Sequence, residues 1–173
     1  THLWFLYYLL FISTSLVSLR YLIALKSSLY NALVKLADGF VAWICRSQLG
    51  ILFVSLLTAC CLWFMTHWGM DTPDKSLVPH IPVSLIYGGF FLFGWLVHRK
   101  VELIEQFSKV SWSKILLCSV AIIATVILSS FEALSHHEQY SLIKASYALS
   151  YTVMMWSLIS LTFGMFKLLY IHF

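Results

Sequence analysis

The sequence predicts an all-α protein, a polytopic transmembrane helical bundle of about five spans with a basic amphipathic helix at the interface. Three observations carry that prediction. Hydrophobic residues make up 61% of the 173-residue chain and charged residues only 10%, where soluble domains hold roughly a quarter charged. The mean hydropathy is +0.88. Apolar runs of about 20 residues recur between short polar segments, the length that crosses a bilayer as a helix. In lipid the backbone must satisfy its own polar groups, so such runs become helices. The ten-residue alternating segments of a membrane barrel do not occur. One bundle spanning residues 1–173 is the expected single membrane domain.

In chain order, the first span is expected from Leu3 to Leu19, starting within "HLWFLYYLL". Residues 20–47 differ. Leu22, Leu25, Leu29, Leu33, Leu36, Phe40 and Trp43 recur every three to four residues, with Arg20, Ser27, Asn31, Lys35 and Asp38 largely on the other side. That pattern is an amphipathic helix lying along the membrane surface. A second reading tilts Phe40 to Ile44 into the bilayer with Arg46 snorkelling. Asp38-Gly39 is the expected break between the two parts.

The second span is expected from Gln48 to Trp68 and the third from Ile81 to His98. Between them "MDTPDKSLVPHIP" holds three prolines among charged residues and belongs in water. Pro82 then falls in the first turn of the third span, where a missing N–H costs nothing. The loop 98–114 carries Val101, Leu103, Ile104 and Phe107, which suit the interface. A fourth span, Ile115 to Phe131, and a fifth, Ala145 to Phe166, flank the polar stretch "SHHEQYS".

Lysine and arginine set the orientation. Of eleven, Arg20, Lys26, Lys35, Arg46, Arg99, Lys100, Lys109, Lys114 and Lys167 fall on one side, and Lys75 and Lys144 on the other. Nine against two predicts the basic side to be cytoplasmic, with residue 1 outward and residue 173 inward. The basic residues form no single run, so nucleic acid is not an expected partner; the bilayer is.

Candidate chemistry is sparse. Cys45, Cys60, Cys61 and Cys118 have no C-x-x-C spacing and read as small packing residues. His2, His67, His80, His136 and His137 fall at outer span ends near Asp71, Asp74, Glu132 and Glu138. With edge tryptophans such as Trp68 they suit an interfacial belt, or a polar acceptor site at the outer mouth. Paired haem ligands would need to lie deeper, and His136-His137-Glu138 lacks the i, i+4 spacing of a helical zinc motif. Gly88, Gly89 and Gly94 suit close helix approach. Residues alone establish a membrane bundle and no reaction.

Three stretches in order, "HLWFLYYLL" (2–10), "YGGFFLFGWLVHRKVELIEQF" (87–107) and "YALSYTVMMWSLISLTFGMFKLLY" (147–170), resemble the bacterial acyltransferase-three family of integral-membrane O-acyltransferases. The resemblance is nearest to its glucan biosynthesis protein C branch. It implies transfer of an acyl group, such as succinyl or acetyl, from a cytoplasmic acyl-CoA-type thioester to a periplasmic glycan hydroxyl, at the bacterial inner membrane and with no resident cofactor. The family's catalytic histidine lies on a helix that no segment here matches, so this stretch corresponds to a middle-to-late portion. The roles it implies are walls of the site. His2, Trp4 and Tyr7 would line an outer acceptor cleft, Phe90, Phe91, Gly94 and Trp95 the acyl path, and Arg99 and Lys100 would meet an anionic donor. The alternative is a non-catalytic membrane component, a transporter half or a scaffolding remnant.

Overall fold

The computed structural model describes residues 3–65, 67–70, 79–132 and 139–172. It is all-helical, with α1 Leu3–Ala24, α2 Ser27–Arg46, α3 Gln48–Trp63, α4 Ile81–His98, α5 Val101–Phe107, α6 Trp112–Ser129 and α7 Tyr140–His172. Four helices, α1, α4, α6 and α7, are long and apolar enough to cross a membrane, and the spans number up to five if the bent pair α2 and α3 counts as one. α7, packed chiefly against α6 and α3, forms the spine of the bundle.

Contacts sort the chain into two ends. One is basic: Asp38 pairs with Arg99 and Lys100, Arg46 donates to Gln106, Gln48 to Ser113, and Lys167 to Glu105. The other joins Trp68 to Glu132 and Tyr140, Lys144 to Met65, and His80 to Tyr8. The chain passes between these ends five times.

α2 is turned 111° from α3, so it lies across the basic end. At 3.6 residues per turn it shows three faces. Val41, Ile44 and Cys45 are buried against the bundle, Leu29, Leu33, Leu36, Phe40 and Trp43 are exposed, and Ser28, Asn31, Lys35 and Arg46 form the polar side. A surface helix clamped to a bundle has this need: one face for protein, one for hydrocarbon, one for water. The expected break at Asp38-Gly39 does not occur, because Asp38 is tied to two cations and the helix runs on to Arg46. The chain turns instead at Ser47, whose hydroxyl accepts the Leu49 N–H. Gly50 permits that tight turn, since a Cβ there would strike the Ile44 backbone.

Boundaries shift elsewhere. α3 stops at Trp63, and Met65 and Trp68 fold back as buried loop residues. α4 matches its expected bounds, with proline in its first turn. The loop 98–114 contains the short helix α5, which buries Leu103 and Phe107 in the core. Gly89 and Gly94 face open space, so neither brings helices together. That role belongs to Gly164, where a Cβ would strike the Ser108 carbonyl.

Candidate functional site

At the end opposite the basic one, the packing is aromatic. Tyr8 is buried on α1, packs edge-on to Tyr7 at 5.8 Å and to Tyr87 of α4 at 6.4 Å, and its hydroxyl accepts the His80 N–H at 2.8 Å. On α7, Tyr147 stacks with Tyr151 at 5.8 Å and meets Trp68 at 5.4 Å. Tyr7, Tyr87 and Tyr151 all pack on one core cluster built from Tyr8, Leu62, Met65, Val83, Ile86 and Ala148. Tyr8 and Tyr147 are buried and Tyr7, Tyr87 and Tyr151 half-buried, so the cluster packs this end of the bundle with its aromatic edges. Lys144 closes this end by donating to the Met65 carbonyl at 3.1 Å and lying over the Trp63 ring.

At the basic end, Arg99 and Lys100 reach the two Asp38 oxygens at 3.5 and 3.2 Å while staying 38% and 51% exposed. Two cations against one carboxylate leave positive charge and free N–H donors. Trp95 lies one turn earlier under the Arg20 guanidinium, 5.4 Å from its ring centre. Lys167 donates to Glu105 at 2.9 Å, and that bond with the lysine charge holds the Glu105 carboxyl below the usual carboxylate range.

Of the expected site residues, the structure thus places Tyr7 at the aromatic end and Trp95, Arg99 and Lys100 near the basic end, two groups rather than one pocket. Trp4 belongs to α1, but its side chain lies outside the described residues, as do His2, Asp71, Asp74, Lys75, His136, His137 and Glu138. Trp68 is not a belt residue. It is 2% exposed, with its indole N–H on the Tyr140 hydroxyl at 2.7 Å.

Two hollows lie along α4. A groove of about 240 Å³ runs among α2, α3, α4 and α7, from Phe40 and Leu96 to Cys61 and Leu85. Its floor is Trp156, on which Phe90 stacks at 4.6 Å. Its polar atoms are used internally: Thr58 donates to the Val54 carbonyl at 2.7 Å and accepts the Trp156 N–H at 3.1 Å. A larger hollow of about 620 Å³ separates α1 from α4, with Ser15, Ser84 and Gly88 on its wall. The buried Ser84 hydroxyl has no hydrogen-bond partner.

Residue patterns alone miss Tyr8, Trp156 and Lys114. Lys114 is buried near the start of α6, donating to the Phe107 carbonyl at 2.8 Å and to Ser160 at 3.0 Å. Its sequence signal is a lysine in the first turn of an apolar run, which reads equally as an interfacial anchor. Among the described residues, no three His, Cys, Asp or Glu side chains converge as a metal site. No protein-family model, no curated protein and no solved structure matches the chain.

Proposed function

We propose that the chain is the substrate-positioning part of a bacterial inner-membrane O-acyltransferase, moving an acyl group such as succinyl or acetyl from a cytoplasmic thioester to a periplasmic glycan hydroxyl. One observation carries this reading. The three stretches that resemble the family, distant in sequence, contribute Tyr7 and Tyr8, Tyr87, and Tyr147 and Tyr151 to one aromatic cluster at a single end of the bundle. The cations Arg99 and Lys100 occupy the other end. By the nine-to-two charge bias the basic end is cytoplasmic, with residue 1 outward and residue 173 inward.

In this reading the tyrosine end binds the glycan and the cation pair meets the anionic donor. The acceptor oxygen attacks the thioester carbonyl, its proton passes to a histidine base, the C–O bond forms and the C–S bond breaks as the thiolate leaves and is protonated. A positioned base contributes about 10²–10⁴-fold. The base is the histidine the family carries on a helix unmatched by these segments. The rival, a transporter half, draws on the α2–α3 break. Transporters break their helices near midspan, whereas Ser47 lies at the basic end among Arg46, Gln48 and Gln106.

Steady-state kinetics in membranes from cells carrying the gene test the reading. Tyr7→Leu is expected to raise the acceptor KM severalfold at constant donor KM, and Arg99→Gln with Lys100→Gln the reverse. Equal effects of both variants on both constants would defeat it.

A further inference from the structure

The α2–α3–α4–α7 groove ends at Phe40 and Leu96, and the cation pair stands just beyond that end, on Asp38 two residues before Phe40. Ile86, Gly89, Phe93 and Leu96 line it at helical spacing along α4, Arg99 follows Leu96 by one turn at the helix end, and Lys100 follows in extended backbone. From Leu85 to Leu96 the groove follows α4 for about 16 Å, the depth of one leaflet of a hydrocarbon core about 30 Å thick. Its volume of about 240 Å³ lies below the 300–1,000 Å³ typical of small-molecule pockets, so it suits a single chain rather than a ring system. Phe40, Leu57 and Leu92 along its mouth are exposed, opening it sideways. With Thr58 and the Trp156 N–H satisfied by each other, nothing inside calls for a polar occupant. A carboxylate such as that of a succinyl group would find no donor there.

We infer that this groove holds one acyl chain of an anionic phospholipid of the surrounding leaflet, with the lipid phosphate on Arg99 and Lys100. Charge selects the headgroup: Arg99 and Lys100 together outnumber the one carboxylate they both pair with, Asp38. The inference does not depend on acyl transfer. If the donor uses the same pair, donor and lipid exclude one another.

The test places the protein in nanodiscs containing phosphatidylglycerol or phosphatidylcholine with a photoactivatable diazirine in one acyl chain, and maps labelled peptides by mass spectrometry. Phosphatidylglycerol is expected to label Leu57 and Cys61, which line this groove and not the hollow between α1 and α4, above the outward-facing Val120 and Ile123 of α6. It should exceed phosphatidylcholine by about fivefold, the ratio given by ~1 kcal/mol of attraction for the one net positive charge that Arg99 and Lys100 keep against Asp38. Arg99→Gln with Lys100→Gln should remove that preference. Gly89→Phe should lower labelling at Leu57 and Cys61, because Gly89 stands on the groove wall, shared with the hollow between α1 and α4, and nothing lies within 4 Å of its Cβ position. Gly94→Phe, equally unobstructed but outside the groove, should not, which separates filling from misfolding. Uniform labelling around the bundle, insensitivity to Gly89→Phe, or equal labelling by the two lipids would each overturn the inference. Added soluble acyl-CoA lowers the labelling if the donor shares the pair. Unchanged labelling leaves the lipid inference standing and removes Arg99 and Lys100 from the donor site.

Discussion

Lys114 and Ser160 share one acceptor. The lysine ammonium donates to the Phe107 carbonyl at 2.8 Å and to the Ser160 hydroxyl at 3.0 Å, while that hydroxyl donates to the same carbonyl at 2.6 Å. This triangle fastens α5, α6 and α7 at the basic end. A cation in the first turn of a helix opposes the helix dipole, and burial opposes its charge. The two hydrogen bonds offset both costs.

Because the two donors act on one oxygen, their removal should be non-additive. In steric-trap or detergent unfolding, Lys114→Met and Ser160→Ala are expected to couple by about 0.5–3 kcal/mol. Additive effects would mean that the carbonyl does not link them.

The glycines make a matched pair. Gly164→Ala forces a methyl against the Ser108 carbonyl and should cost about 1–3 kcal/mol, the usual penalty of overpacking. Gly94→Ala meets nothing within 4 Å and should be neutral or stabilising by up to about 1 kcal/mol through helix propensity. Thermal stability of the two purified variants decides; a loss as large at Gly94 as at Gly164 would contradict the packing.

Hydropathy sets how much of this fold is legible in the sequence. Apolar runs report where lipid is, so α4 is legible with its bounds, while α7 continues to 33 residues past its expected apolar stretch. Hydropathy cannot separate a lipid-facing residue from a buried loop residue, and it therefore runs Met65 and Trp68 into a span. The Asp38-Gly39 pair looks like a break because its rescuers, Arg99 and Lys100, lie far along the chain. The same distance hides the partner of Lys114, and no local pattern distinguishes a glycine that meets backbone from one that faces open space. Of the candidate site, the cation pair is legible from adjacent charges. The tyrosine cluster is legible only as separate stretches of sequence.

The five passes predict opposite accessibility at opposite ends. In a cysteine-free background, a single cysteine at exposed Gln139 should react in intact cells with an impermeant maleimide, and one at exposed Glu102 only after permeabilisation. Reaction of both from outside would refute the orientation.

Glu105 gives a pH signature. Its carboxyl is held below the ordinary range by Lys167, so the folded state binds fewer protons than the unfolded state as pH falls. The pair's stabilisation is therefore present above the unfolded carboxylate value of about 4.3 and is lost as pH drops through the lower folded value. Glu105→Gln should be less stable than the parent near neutrality and converge with it in acid. Parallel Tm–pH curves would rule the pair out as a contributor.

Three tryptophans separate anchoring, packing and binding. Trp68 is 2% exposed, wedged between Tyr140 and Tyr147, and donates to the Tyr140 hydroxyl. Trp68→Ala should therefore empty a packed site and cost about 3–5 kcal/mol, whereas Trp68→Phe keeps much of the volume and loses mainly the hydrogen bond, about 1 kcal/mol. Trp112 is 86% exposed at the start of α6. Its indole makes little contact with protein and suits an interfacial anchor, so Trp112→Ala should leave unfolding nearly unchanged. Trp4 opens α1 one turn before Tyr7, so in the proposed enzyme Trp4→Ala should raise the acceptor KM at unchanged protein level and donor KM. Trp112 is the fitting control for that measurement, since Trp68 would confound binding with folding. Should Trp4→Ala behave as Trp112→Ala does, with acceptor KM unaltered, the acceptor cleft does not extend to the first turn of α1.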